Sequence, residues 1–176
     1  LCGGIPGSMF LLSSGKSLGK TEDFLKEKGY LQYVPKLQEL LKKYPGKIKF
    51  PTDVAYSENG KRKECGIEKL PVQGEIYDIG KKTQEEFSSI ITSSKTVVIN
   101  GPVGVYEQGE FSQGTRALLQ AIAHSSSFSL AGGGHTLSAI EKFKIDKKKI
   151  SYISLAGKAL IEYLSGHKLP GVEILG

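Results

Sequence analysis

What is scarce in this chain narrows its function first. Its longest wholly apolar stretches are a few residues, far short of the roughly 18 needed to span a bilayer. The opening segment, LCGGIPGSMFLLSSGK, lacks the basic start of an export signal. A soluble, cytoplasmic protein without membrane contact is the expectation. Cysteine is nearly absent: Cys2 and Cys65 are too few for a disulfide framework and lie in no metal-ligand spacing, which predicts reduced thiols. His124, His135 and His167 never fall four residues apart and have no cysteine nearby, so no metal ligand is assigned.

No repeat, linker or low-complexity segment divides the 176 residues, and one compact domain is the default. The net charge of +6 suits an anionic ligand, although it suits nucleic acid equally. The basic clusters Lys61-Arg62-Lys63 and Lys147-Lys148-Lys149 fall in predicted turns without interleaved aromatics. They read as solvated surface, and no nucleic-acid partner is expected.

What is present alternates. Val34, Leu37 and Leu41 have the spacing of a helix face, KIKF at 47–50 reads as a short strand stopped by Pro51, and Asn59-Gly60 marks a hairpin turn. Phe87, Ile90 and Ile91 give a second helix, and TVVIN at 96–100 reads as a buried strand. A helix over 112–123 follows, with Leu118, Leu119 and Ile122 inward. SFSLA, HTLSAIEKF, SYIS and AGKALIEYL then read as strand, helix, strand and helix. This order predicts an α/β, Rossmann-like three-layer α/β/α fold with a mostly parallel sheet.

In such folds ligands bind beyond the carboxyl ends of the strands. TVVIN is followed by Gly101-Pro102-Val103-Gly104-Val105-Tyr106-Glu107, SFSLA by Gly132-Gly133-Gly134-His135-Thr136, and SYIS by Leu155-Ala156-Gly157-Lys158. Gly3-Gly4, after Leu1-Cys2, reads as the tail of another strand. A glycine turn entering a helix leaves unpaired amides and the positive helix end facing outward, and a phosphate can approach a backbone without Cβ atoms. The competing reading of the glycine triplet is that it lets a helix cross tightly over the sheet. The known nucleotide motifs fail: the leading P-loop glycine before Gly15 or Gly19 is Phe10 or Ser14, and the last glycine of a dinucleotide motif from Gly132 is Leu137.

NGPVGVYE at 100–107, AGGGHTLSAIEKF at 131–143 and LPGVEIL at 169–175 resemble phosphoglycerate kinases. So do GGIPGSMFLL at 3–12, PTDV at 51–54 and YDIGKKT at 77–83, in the same order. The likeness covers essentially the whole chain, and the GGGHT and AGKAL variants give it an archaeal character. It implies that residues 1–176 are the nucleotide-binding C-terminal domain, incomplete at its start, with the triose-phosphate-binding N-terminal domain absent.

The resemblance implies roles for individual residues. Gly3 and Gly4 would flank the adenine, Glu107 would take the ribose, and Asn100 and Pro102 would shape the cleft. Gly133, Gly134, His135 and Thr136 would hold the phosphates, while Gly157 and Lys158 would stand beside the transferring group. The implied reaction moves a phosphoryl group between 1,3-bisphosphoglycerate and ADP, giving 3-phosphoglycerate and ATP, with Mg²⁺ accompanying the nucleotide. Two departures stand out: His135 replaces an aspartate associated with magnesium, and Lys158 replaces a glycine. A histidine does not substitute for a carboxylate on hard Mg²⁺, but it donates well to a phosphate oxygen. A monomer is expected, inactive without its N-terminal partner domain; the alternative is a non-catalytic nucleotide-binding module.

Overall fold

The computed structural model describes residues Leu1–Leu175. In chain order the elements are α1 (Gly4–Ser13), α2 (Lys20–Glu27), α3 (Val34–Lys43), β1 (Asp53–Glu58), β2 (Lys61–Gly66), β3 (Glu75–Ile79) and α4 (Lys81–Ser93). They continue as β4 (Thr96–Asn100), α5 (Gln113–His124), β5 (Phe128–Gly132), α6 (Gly134–Lys142), β6 (Tyr152–Ser154), α7 (Gly157–Leu164) and α8 (Pro170–Glu173). The fold is α/β. Its residues form two compact units, Leu1–Ser89 with Pro102–Leu118, and Ile90–Gly101 with the residues from Leu119 on.

In the first unit α1 is apolar nearly all round, so it is buried on most faces, with Met9, Phe10 and Leu11 inside. Leu11 joins Leu18, Leu25 and Val54 in one cluster, against which Val34 and Leu37 of α3 pack. The hairpin forms where Asn59-Gly60 predicts it. Both turn residues have positive φ (53° and 75°), as a two-residue turn matched to strand twist requires, and Glu58 pairs with Lys61. β1 also pairs antiparallel with β3, giving the order β2-β1-β3.

KIKF is not a strand. Lys49 accepts one backbone hydrogen bond from the Cys2 amide at 2.8 Å, but no ladder forms there, and Phe50 instead stacks on Phe10. Phe50 therefore serves packing on α1, and the strand begins only after Pro51, at Asp53. Leu1-Cys2 likewise lie outside any strand. Asp53 ties the start of α4: its carboxylate accepts from the Lys82 amide at 2.9 Å and from the Thr83 amide at 2.8 Å.

The second unit carries the parallel sheet, order β4-β5-β6. Its register pairs Asn100 with Gly132 and Gly132 with Ser154, so the three strands end level. β5 lies between the other two and is largely buried, whereas β4 is an edge strand whose Val98 is 43% exposed. TVVIN is thus a strand as its β-branched composition predicts, but not a buried one: composition reports strand propensity, and neighbours on both sides decide burial. Among the described residues no helix is long and apolar enough to cross a membrane.

Candidate functional site

The level strand ends of the second unit set up the site. Each of β5 and β6 turns directly into a helix, so α6 and α7 start side by side. Gly133 is the residue before α6, with φ of 91°, a conformation that disfavours any side chain. A Cβ on Gly157 would sit 2.5 Å from the Gly133 amide nitrogen and 3.0 Å from Asn100 Oδ1. The two backbones touch there, and the Asn100 side chain lies against both. Gly134 differs: nothing lies within 4 Å of where its Cβ would be. The close-packing reading of the triplet therefore holds at Gly133 and not at Gly134. Gly133 serves close packing, while Gly134 opens onto space.

That space is an open depression of about 550 Å³ lined by Asn100, Gly133, Gly134, Gly157, Lys158, Ile161 and Glu162. Neither α6 nor α7 has a side-chain cap. Their intrahelical ladders start with Leu137 N–H to Gly133 O and Leu160 N–H to Ala156 O, which leaves the first-turn amides ahead of the ladder. Two positive helix ends thus meet at one depression. Lys158 stands beside it, 91% exposed, with Glu162 at 3.8 Å. So exposed a pair contributes little, and its ammonium is easily released to another anion.

The depression gathers Asn100, Gly133, Gly134, Gly157 and Lys158 from the sequence-derived set. His135 is exposed and outside the lining, and Thr136 is buried with its hydroxyl accepting from the Gly101 amide at 2.8 Å. Ile161 and Glu162 were missed; their spacing of three and four residues from Lys158 was the available signal. Among the described residues no group of three or more His, Cys, Asp or Glu side chains is placed to hold a metal ion.

The remaining candidates lie in the first unit. The Gly4 amide donates to Val103 O at 2.8 Å, and a Cβ on Gly3 would meet Val103 Cγ1 at 2.6 Å, so the start of α1 rests on the Pro102-Val103 backbone. Glu107 is exposed further along that segment. Beneath the segment lies a feature that the charge-run reading missed: Arg62 is not solvated. Its side chain is 9% exposed and paired with the fully buried Asp78 at 2.9 Å. Burial pushes the Asp78 carboxyl above the ordinary aspartate value, against the Gly114 amide, Arg62 and the Ile79 amide, which pull it down.

The sequence matches the family described as Phosphoglycerate kinase over residues 1–167. It is 43% identical over 173 residues to the phosphoglycerate kinase of Methanobacterium bryantii, covering 98% of this chain and 42% of that protein. Against the Thermoplasma acidophilum phosphoglycerate kinase it is 42% identical over 178 residues, covering 99% of this chain and 43% of that one. Both relatives are archaeal. The crystal structure of phosphoglycerate kinase from Pyrococcus horikoshii OT3 superposes with a TM-score of 0.90 at 38% identity, covering 97% of this chain and 43% of that one. The chain thus spans well under half the length of these relatives.

Two outcomes follow from the geometry. Gly157→Ala forces a methyl onto the Gly133 backbone and should cost about 1–3 kcal/mol in denaturant unfolding, whereas Gly134→Ala should change stability by less than about 1 kcal/mol; equal costs would contradict the division of roles. The raised Asp78 carboxyl means that its contribution to stability is full below the unfolded value and is lost as pH rises through the folded one. Removing Arg62 raises that carboxyl further. Arg62→Met should therefore cost roughly 3–5 kcal/mol at pH 7 and clearly less near pH 4, in unfolding measured at both; a cost independent of pH would contradict the pairing.

Proposed function

Because the chain belongs to the phosphoglycerate kinase family, we propose that it is the nucleotide-binding part of an enzyme that transfers a phosphoryl group between 1,3-bisphosphoglycerate and ADP. The observation that carries this reading is the meeting of the α6 and α7 starts at one depression above level parallel strands. That arrangement offers fixed amide dipoles and a mobile ammonium to a polyphosphate, and no nucleophilic side chain is required.

In the forward direction a β-phosphate oxygen of ADP attacks the acyl phosphorus, and the phosphorus–oxygen bond to the carboxyl group breaks. The products are ATP and the 3-phosphoglycerate carboxylate. Little covalent chemistry falls to the protein, which acts by positioning and by electrostatic stabilisation of oxygens that gain charge. The amides of Gly134 and Gly157 face the phosphates, Gly133 lets the chain approach closely, and Asn100 fixes the junction. Lys158 exchanges Glu162 for the transferring group. His135 and the Thr136 amide act at the outer edge of the phosphate chain. Gly3, Gly4 and Pro102 serve the adenine and Glu107 the ribose, roles that rest on the family resemblance.

Magnesium enters with the nucleotide. The lining offers hard oxygen only from Glu162, already beside Lys158, and from the Asn100 amide, so the phosphates and water would supply the rest of a Mg²⁺ shell. No Mg²⁺ ligand is assigned to this chain. The triose substrates engage the part of the polypeptide that the relatives have beyond this chain, and closure of the two parts excludes water. A cytoplasmic location and a monomeric state belong to the same proposal.

Calorimetric titration with ADP, with and without Mg²⁺, tests the reading. The native chain should bind, and Gly134→Val, which fills the depression without meeting any protein atom at its Cβ, should weaken binding by more than about tenfold while unfolding normally. Unchanged affinity in the valine variant would contradict the phosphate cradle. Sustained kinase turnover by this chain alone would contradict its assignment as the nucleotide half.

A further inference from the structure

We propose that Arg62 is a positioning residue for nucleotide recognition: through Asp78 and Glu110 it fixes the segment that presents Glu107, and so sets selectivity for the ribose hydroxyls. This rests on the nucleotide reading above and deepens it.

The argument starts from the donors of one guanidinium. Arg62 Nη1 donates to Asp78 Oδ2 at 2.9 Å and to the Glu110 carbonyl at 2.9 Å. Nη2 donates to the Ile79 carbonyl at 3.1 Å and to Glu64 Oε1 at 2.7 Å, and Nε reaches the same carboxylate oxygen at 2.9 Å. Every N–H of the planar fork is used, which a lysine cannot reproduce. The Arg62 backbone amide adds a bond to Glu110 Oε2 at 2.9 Å, and the guanidinium lies 5.9 Å from the centre of the Phe111 ring. A strand residue of the β1–β2 hairpin thus grips Glu110 and Phe111 by side chain and backbone together.

Asp78 holds the same segment at both ends. On the far side, its Oδ2 accepts from the Gly114 amide at 2.8 Å. On the near side, Gly104 packs against the Asp78 carboxylate so closely that it has no room for a side chain, and the Val105 amide donates to Tyr77 O at 2.7 Å. Residues 105–111 therefore leave and return to one buried ion pair, with Glu107 exposed between the anchors. An exposed carboxylate on an untethered loop would sample many positions. Anchored on both sides, the backbone that carries Glu107 is held, and a hydrogen bond accepted from a ribose hydroxyl then costs less ordering. A buried pair of this kind adds little net stability, and its use here is to fix geometry.

The test compares dissociation constants for ADP and 2′,3′-dideoxy-ADP in the native protein carrying this chain. A charged hydrogen bond to the ribose predicts a preference for ADP of about tenfold or more. Glu107→Ala should bring that ratio close to one. Arg62→Met should do the same while leaving dideoxy-ADP affinity within about twofold. Glu110→Ala, which keeps the buried pair and removes only the carboxylate anchor, should lower the ratio partway; it keeps the test decisive if Arg62→Met does not fold. A ratio that collapses in Glu107→Ala but survives in Glu110→Ala, and in Arg62→Met where it folds, would overturn the positioning role and leave the nucleotide reading standing. Equal weakening of both nucleotides in Arg62→Met would also overturn it, since a purely structural role has that signature. A ratio unchanged in Glu107→Ala, or no binding by the native protein, would overturn the ribose reading and this inference with it.

Discussion

The site depends on a register. Asn100, Gly132 and Ser154 stand level at the ends of three parallel strands, so the helices that follow two of those strands must start side by side. Two helix starts cannot lie so close if the chain between them carries side chains. That constraint makes Gly133 and Gly157 steric necessities, and it is also what brings two sets of first-turn amides to one depression. The packing of the chain and the opening of the depression are here the same geometry seen from two sides, and Gly134 is where they separate, because its Cβ position meets nothing.

Much of this was legible in the sequence, for identifiable reasons. The hairpin at Asn59-Gly60 depends on two adjacent residues that tolerate positive φ, a local property visible without the fold. The stripes Phe87, Ile90, Ile91 and Leu118, Leu119, Ile122 mark inward helix faces because burial follows helical period, and all are buried except Ile90, which is half-buried. The glycine triplet and Gly157 were legible as a junction, since runs of glycine are costly unless a close approach needs them.

The misreadings share a cause: each turned on a partner remote in sequence. KIKF has strand-like content, but a strand needs a ladder, and here Phe50 finds Phe10 instead. TVVIN forms its strand at a sheet edge, and no property of its five residues reports how many neighbours it has. Arg62 looked like one member of a solvated basic run. It is set apart from Lys61 and Lys63 by strand alternation and by Asp78, sixteen residues away. The alternation was available once β2 was recognised as a strand; the buried partner was not.

The central claim, that the starts of α6 and α7 together hold nucleotide phosphates, is tested most directly by amide chemical-shift mapping during ADP titration, with adenosine as the control. The account predicts saturable shifts at Gly134, Thr136, Gly157 and Lys158 with ADP that adenosine does not produce. Saturable ADP binding that leaves those four amides unmoved would contradict it.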